Sequence, residues 1–180
     1  MCEGEHKDQW NNLTKVAIKK VYPTFEKPDM VADVNRAIDI MKTLNHPNLI
    51  KYISFHYDPT LLIMEFIEHS SLNVYLNNSG GSTEIQKLLK FSKDIAEGMK
   101  YLGEMTIVHH NLAARNILVD SNHCVKISDF GVAQFVGPSS YSIIKTTLPA
   151  LPINWYIFIF LHKHLAKNIY FNQVCTRILK

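Results

Sequence analysis

Apolar and polar residues alternate along Thr14-Lys15-Val16-Ala17-Ile18-Lys19, so a strand there would put Val16 and Ile18 on one face and Ala17 with Lys19 on the other. From Pro28 the period lengthens. Pro28 and Asp29 suit the first turn of a helix, and Val31, Val34, Ile38 and Met41 follow at helical spacing. That helix should end before His46-Pro47, because the residue preceding proline avoids helical angles. Two apolar strands are expected at 49–55 and 61–66, joined by His56-Tyr57-Asp58-Pro59-Thr60, whose Asp-Pro favours a turn. With the first strand they would make a small antiparallel sheet. Residues 77–82, Asn-Asn-Ser-Gly-Gly-Ser, then interrupt the pattern as a flexible loop. Thr83 and Gln86 have the spacing of a capping box, and Ile85, Leu88, Leu89, Ile95, Met99 and Leu102 form the apolar stripe of a long helix beyond it. The expected class is α+β, sheet-rich first and helical afterwards. No internal repeat is present.

Composition narrows the function. At 180 residues and 47% hydrophobic the chain can bury a core of its own. Its net charge of +3 is spread without a run of Lys or Arg, which gives no electrostatic case for nucleic acid or an anionic membrane. The first eight residues are polar and lack an apolar signal core, so secretion is not expected and a reducing compartment is. Cys2, Cys124 and Cys175 have no paired or metal-ligand spacing and read as free thiols. The apolar run Ile157-Phe158-Ile159-Phe160-Leu161 is too short to span a bilayer, and no transmembrane segment is expected.

The chemistry concentrates in His109-His110-Asn111-Leu112-Ala113-Ala114-Arg115-Asn116 and, eleven residues later, Ser128-Asp129-Phe130-Gly131. Upstream, Val16-Ala17-Ile18-Lys19 sets a small residue beside a cation, which suits the roof over an adenine ring next to a partner for phosphate oxygens. In order and spacing these segments resemble the lysine strand, catalytic loop and metal-binding turn of a protein kinase. Leu112-Ala113-Ala114-Arg115-Asn116 has the tyrosine-specific form of the loop. Leu62-Ile63-Met64-Glu65-Phe66, Gly98-Met99-Lys100-Tyr101-Leu102-Gly103, Val125-Lys126-Ile127-Ser128-Asp129-Phe130-Gly131 and Pro152-Ile153-Asn154-Trp155-Tyr156 are similar to the Janus kinases.

The resemblance covers residues 14–156 and implies a partial protein-kinase-like bilobal fold. A small antiparallel sheet lobe with one helix would occupy about 1–67, an incomplete helical lobe about 68–156, and a divergent tail 157–180. It implies ATP and Mg2+ as cofactors. Ala17, Lys19, Met64, Glu65, Ile67 and Leu118 would contact the nucleotide, with Met64 as gatekeeper and the backbone of Glu65 and Ile67 at the adenine edge. Asn116 and Asp129 would hold the metal, and Arg115 would sit near the transferred phosphate. Tyr141, the only tyrosine between Gly131 and Trp155, would be the phosphorylation site.

Departures from the family pattern are as informative. Asn111 stands where the catalytic Asp belongs, and its amide cannot accept a proton; losing a general base typically costs about 10²- to 10⁴-fold in rate. Ala37 stands where a helix Glu should pair with Lys19. Asp33, one turn earlier, is short and displaced by roughly 6 Å along the axis. His110 replaces an Arg and reads as a packing or surface residue. Nothing before Val16 resembles the glycine-rich loop, so that strand pair is expected to be missing. The tail after Tyr156 departs from the family as well, which suggests a truncated or aberrantly spliced product.

Three functions follow. The first is a degenerate Janus-like pseudokinase with weak ATP binding, acting as a regulatory or interaction module on an intracellular signalling protein or companion kinase domain. Such a module would be cytoplasmic, with membrane association through a receptor partner. The second is an active tyrosine kinase transferring the ATP γ-phosphate to protein tyrosines. The third is a fragment without function of its own.

Overall fold

The computed structural model describes residues 2–21, 28–79 and 83–135, without the side chains of 28–33. Tyr141, the 152–156 motif, Cys175 and the tail at 157–180 therefore lie outside the described residues, as does the side chain of Asp33.

Four antiparallel strands form the first layer, in the order β1-β2-β4-β3. They are β1 (Cys2–Lys7), β2 (Leu13–Lys20), β3 (Tyr52–Tyr57) and β4 (Thr60–Glu65). β1 corrects the expectation that the strand pair before the lysine strand is missing, since one strand precedes it and pairs with β2 from Cys2 opposite Ile18 to Lys7 opposite Leu13. The connecting turn is built by Asp8, whose carboxylate accepts the Trp10 N–H at 2.8 Å and the Asn12 N–H at 2.9 Å. The Asn12 side chain adds a third bond at 2.9 Å, and Asn11 takes the left-handed conformation that Asn tolerates. These bonds, Asn12's side chain first, favour the charged carboxylate and hold its pKa below the ordinary value.

The helix α1 (Pro28–Thr43) follows the expected period and buries Ala37, Ile38, Ile40 and Met41. β3 begins later than expected, at Tyr52, for a specific reason. Residues 48–50 join β7 (Val125–Ile127) instead: the Ile50 N–H donates to the Ile127 carbonyl at 2.9 Å and the Ile127 N–H to the Asn48 carbonyl at 2.8 Å.

The second layer holds α2 (Leu72–Asn78), α3 (Ile85–Glu104) and two small two-stranded sheets. One pairs β5 (Ile107–Val108) with β8 (Gln134–Phe135), the other β6 (Ile117–Val119) with β7. α3 keeps Ile95 and Leu102 in the core but leaves Ile85 and Leu89 exposed, against expectation. Its capping box is not formed. Glu84 precedes the helix without a side-chain cap, and the Thr83 hydroxyl instead bonds the Ser79 hydroxyl at 2.6 Å. One core runs through both layers, from Met41 and Leu62 through Leu49 to Phe91, Ile127 and Phe130.

The layers are also fastened by charge. Lys126 of β7 contacts both carboxylate oxygens of Glu65 at 2.9 and 3.0 Å, and the Lys51 N–H donates to the same carboxylate at 2.7 Å.

Candidate active site

A cavity of about 830 Å³ opens between the layers, within the size range of small-molecule sites. Alternation along β2 aims both Ala17 and Lys19 into it, as expected of two residues on one face. The end of β4 and the chain after it supply Met64, Glu65 and Ile67, and β6 supplies Leu118 from the opposite side. Arg115, Asn116 and Asp129 close the far end. Nine of the ten residues singled out from the sequence therefore line one cavity; Asn111 sits just behind it, against Asp129.

His109 organises the loop. It is buried, its ring faces Phe130 edge-on at 4.9 Å between centroids, and its Nε2–H donates to the Ser128 carbonyl at 3.0 Å. Its Nδ1 accepts the Asn111 N–H at 3.2 Å, so these two bonds assign the neutral Nε2–H tautomer. Desolvation pushes its pKa down to about 4. His110 is buried too, and burial lowers its pKa. It is the packing residue the sequence suggested.

Asn116 ends a short 3₁₀ turn (Ala114–Asn116) and is buried. Its Nδ2–H donates to the Asn111 carbonyl at 2.7 Å, and its own carbonyl accepts the Ser128 N–H and hydroxyl, both at 2.8 Å. The carbonyl oxygen of its side chain is left as the donor atom for a cation. Asp129 and His110 both adopt left-handed backbone angles, φ 67° and 63°, a conformation that costs a non-glycine residue roughly 1–2 kcal/mol. Strain of this kind gathers at sites that must aim a side chain.

Asp129 is the hub. Lys19 Nζ lies 2.8 Å from its Oδ1, and the Asn111 amide donates to its Oδ2 at 3.1 Å. Arg115 in turn donates to the Asn111 Oδ1 at 3.0 Å. Ala37 offers Lys19 no carboxylate, and the cation pairs with Asp129 instead of a helix Glu. Both side chains are over 30% exposed, so solvent screens the pair and its contribution to stability is small. Neither contact was visible in the sequence, since the partners lie 110 and 18 residues apart.

The donor set suits a hard cation. Asp129 and the Asn116 side-chain oxygen are hard oxygen donors, the type that would hold Mg2+. Among the described residues, no group of three or more His, Cys, Asp or Glu converges as a softer metal would require. The apolar walls of Ala17 and Leu118 likewise suit a planar ring.

A model of the protein tyrosine and serine/threonine kinase family matches residues 1–166. The chain is similar to the Drosophila melanogaster tyrosine-protein kinase hopscotch, 40% identical over 155 residues, which is 84% of this chain and 13% of that protein. It is 34% identical to the Danio rerio ephrin type-B receptor 3 over 162 residues, 86% of this chain and 32% of the relative. It is 35% identical to the human tyrosine-protein kinase FRK over 150 residues, 81% of this chain and 29% of the relative. The chain thus spans less than a third of the length of each of these three relatives. Among its described residues, no helix is long and apolar enough to cross a membrane. By this match and these relatives, and consistent with its antiparallel sheet and the cavity beside it, the chain belongs to the protein tyrosine and serine/threonine kinase family, as a tyrosine-kinase domain of Janus-like sequence.

Proposed function

We propose that this chain is a Janus-like pseudokinase module that binds ATP and Mg2+ weakly and acts by regulating an intracellular signalling protein or a companion kinase domain. The observation that carries this reading is the state of Asn111, whose amide is committed at both ends, Nδ2–H to Asp129 and Oδ1 to Arg115. A tyrosine hydroxyl meeting position 111 would find an amide, which cannot take its proton. Bound ATP would supply the transferable phosphoryl group, and Mg2+ the charge that steadies it.

The chain's own residues have separable tasks in this reading. Ala17 and Leu118 enclose the ring, and the backbone of Glu65 and Ile67 meets its edge below Met64. Lys19 exchanges Asp129 for phosphate oxygens, and Asn116 with Asp129 holds the cation. Arg115, tied to Asn111, lines the same end of the cavity as Asn116 and Asp129, where it would sit near the phosphate. A cytoplasmic setting beside a receptor-bound partner fits such a module.

The retained trio Lys19, Asn116 and Asp129 supports a second reading, an active tyrosine kinase. One experiment separates the two: phosphate transfer from ATP to a tyrosine peptide by the purified chain, Asn111→Asp and Asp129→Asn, with nucleotide binding measured on the same samples. The unmodified chain and Asn111→Asp are expected to be inactive, and magnesium-ATP to bind no tighter than micromolar. Transfer by the unmodified chain that disappears in Asp129→Asn would establish the second reading.

A further inference from the structure

Asp129 carries a charge that must be balanced whether or not a cation is bound. Four groups face it or stand directly behind its partners. Lys19 reaches it from β2, Asn111 donates to it from the loop, Arg115 stands behind Asn111, and the neutral ring of His109 lies buried beside the turn. Only Lys19 among them brings a positive charge into direct contact. The second carboxylate oxygen is satisfied by an amide N–H at 3.1 Å, a bond that an aspartate at position 111 has no donor to make.

We infer that Asn111 is a positioning residue: its amide holds the Asp129 carboxylate in its aimed, left-handed conformation in the absence of a cation, doing by hydrogen bonding what a metal ion would do by charge. The asparagine is then more than a missing base. It makes the metal-free site self-sufficient, and it uncouples the stability of the site from Mg2+. Restoring an aspartate would place two carboxylates where one amide–carboxylate bond now stands, and the site would need a cation to hold them together. The inference rests on the kinase reading only for where the cation binds; the pairing itself stands on the contacts.

The two positions exchange roles in a way that a merely structural contribution would not. In Asn111→Asp/Asp129→Asn, donor and acceptor change places and the amide–carboxylate pair is rebuilt; Arg115 faces a carboxylate in this variant and in Asn111→Asp alike, and the loss of the Lys19 ion pair is measured by the Asp129→Asn arm. A double-mutant cycle on the full 180-residue chain therefore tests the proposal by thermal unfolding, without nucleotide, in EDTA and in millimolar MgCl2. In EDTA, Asn111→Asp is expected to lower Tm by about 5 °C or more, and the swapped double variant to recover at least half of that loss. MgCl2 alone should raise the Tm of Asn111→Asp clearly and that of the unmodified chain little, with Mg2+ binding at least tenfold tighter in the variant.

An Asn111→Asp chain as stable as the original in EDTA, or a double variant no better than the sum of its single changes, would overturn the proposal. So would equal stabilisation of both chains by MgCl2. Should Asn111→Asp fail to unfold cooperatively, a cooperative transition in the swapped variant still supports the pairing, and its absence there refutes it. Failure of ATP to bind would sink the nucleotide reading and leave the cycle's outcome standing.

Discussion

A single buried imidazole ties the loop at 109–116 to the turn that carries Asp129, and its protonation state decides whether the tie holds. His109 donates one proton to the Ser128 carbonyl and accepts another from the Asn111 N–H. A second proton would remove the acceptor and bury a charge. Its pKa is lowered from 6.5 to about 4, so between those values the unfolded chain binds a proton that the folded chain refuses. Stability contributed here is therefore present above pH 6.5, falls as pH drops below it, and levels off near pH 4. Urea unfolding measured from pH 7.5 to 4.5 should show this slope in the unmodified chain and less of it in His109→Gln, which can still donate to Ser128 but does not titrate. An identical slope in both would mean that other groups carry the dependence. At this scale the sequence pointed to residues that meet around one cavity and missed the bonds among them. Asn111, Asp129 and Lys19 were each identifiable from their motifs, while the contacts among them depend on how distant segments meet.

Elements were legible where a long period repeats, and obscure where a few residues suffice. The apolar spacing of 31, 34, 38 and 41 matches α1, and that of 88, 95 and 102 matches α3. Short pieces such as β5 and β8, two residues each, carry no period at all and form only because the neighbouring chain is there. β1 did carry a signal, since Glu3, Glu5 and Lys7 alternate with Cys2, Gly4 and His6, but a polar start to the chain masked it. Capping failed as a guide because Thr83 had a nearer partner in Ser79.

Within α3, Gly98 shows tertiary packing overriding helix preference. A Cβ there would meet the Asn48 carbonyl oxygen and Ile127 Cδ1 at 3.0 Å and Leu49 Cδ2 at 3.3 Å. Replacing Gly by Ala gains about 1 kcal/mol of helix propensity, whereas overpacking a tight core costs about 1–3 kcal/mol. The Asn48 oxygen is backbone and already accepts the Ile127 N–H, so it has little freedom to move away. Gly98→Ala should therefore destabilise the chain by roughly 1 kcal/mol, read as a lower urea midpoint at unchanged slope. A raised midpoint would show that the loop at 46–50 yields easily.

Taken whole, the molecule is a sheet and a helical layer joined along one core and one short connection. The cavity at their junction could be placed from the sequence only through family resemblance, because its walls come from segments spread between Ala17 and Asp129. The strap from Lys126 to Glu65 was not foreseen, since nothing in the spacing of the two residues connects them. Yet it bears on binding as much as any residue in the cavity does. With Lys126 on both carboxylate oxygens and the Lys51 N–H on one of them, the backbone at Glu65, in the cavity wall, is fixed before anything arrives. A heterocycle reading that backbone should lose little further conformational entropy on binding, because the wall it meets is preorganised. Lys126→Met would leave the Glu65 carboxylate to the Lys51 N–H alone and changes no residue that lines the cavity. Calorimetry with an uncharged adenine-like ligand should then show affinity lower by about two- to tenfold, with the loss in entropy rather than enthalpy; a loss confined to enthalpy would mean that the strap touches the ligand. The rigidity of one ion pair at the cavity wall would thus set how tightly a ring is held against it.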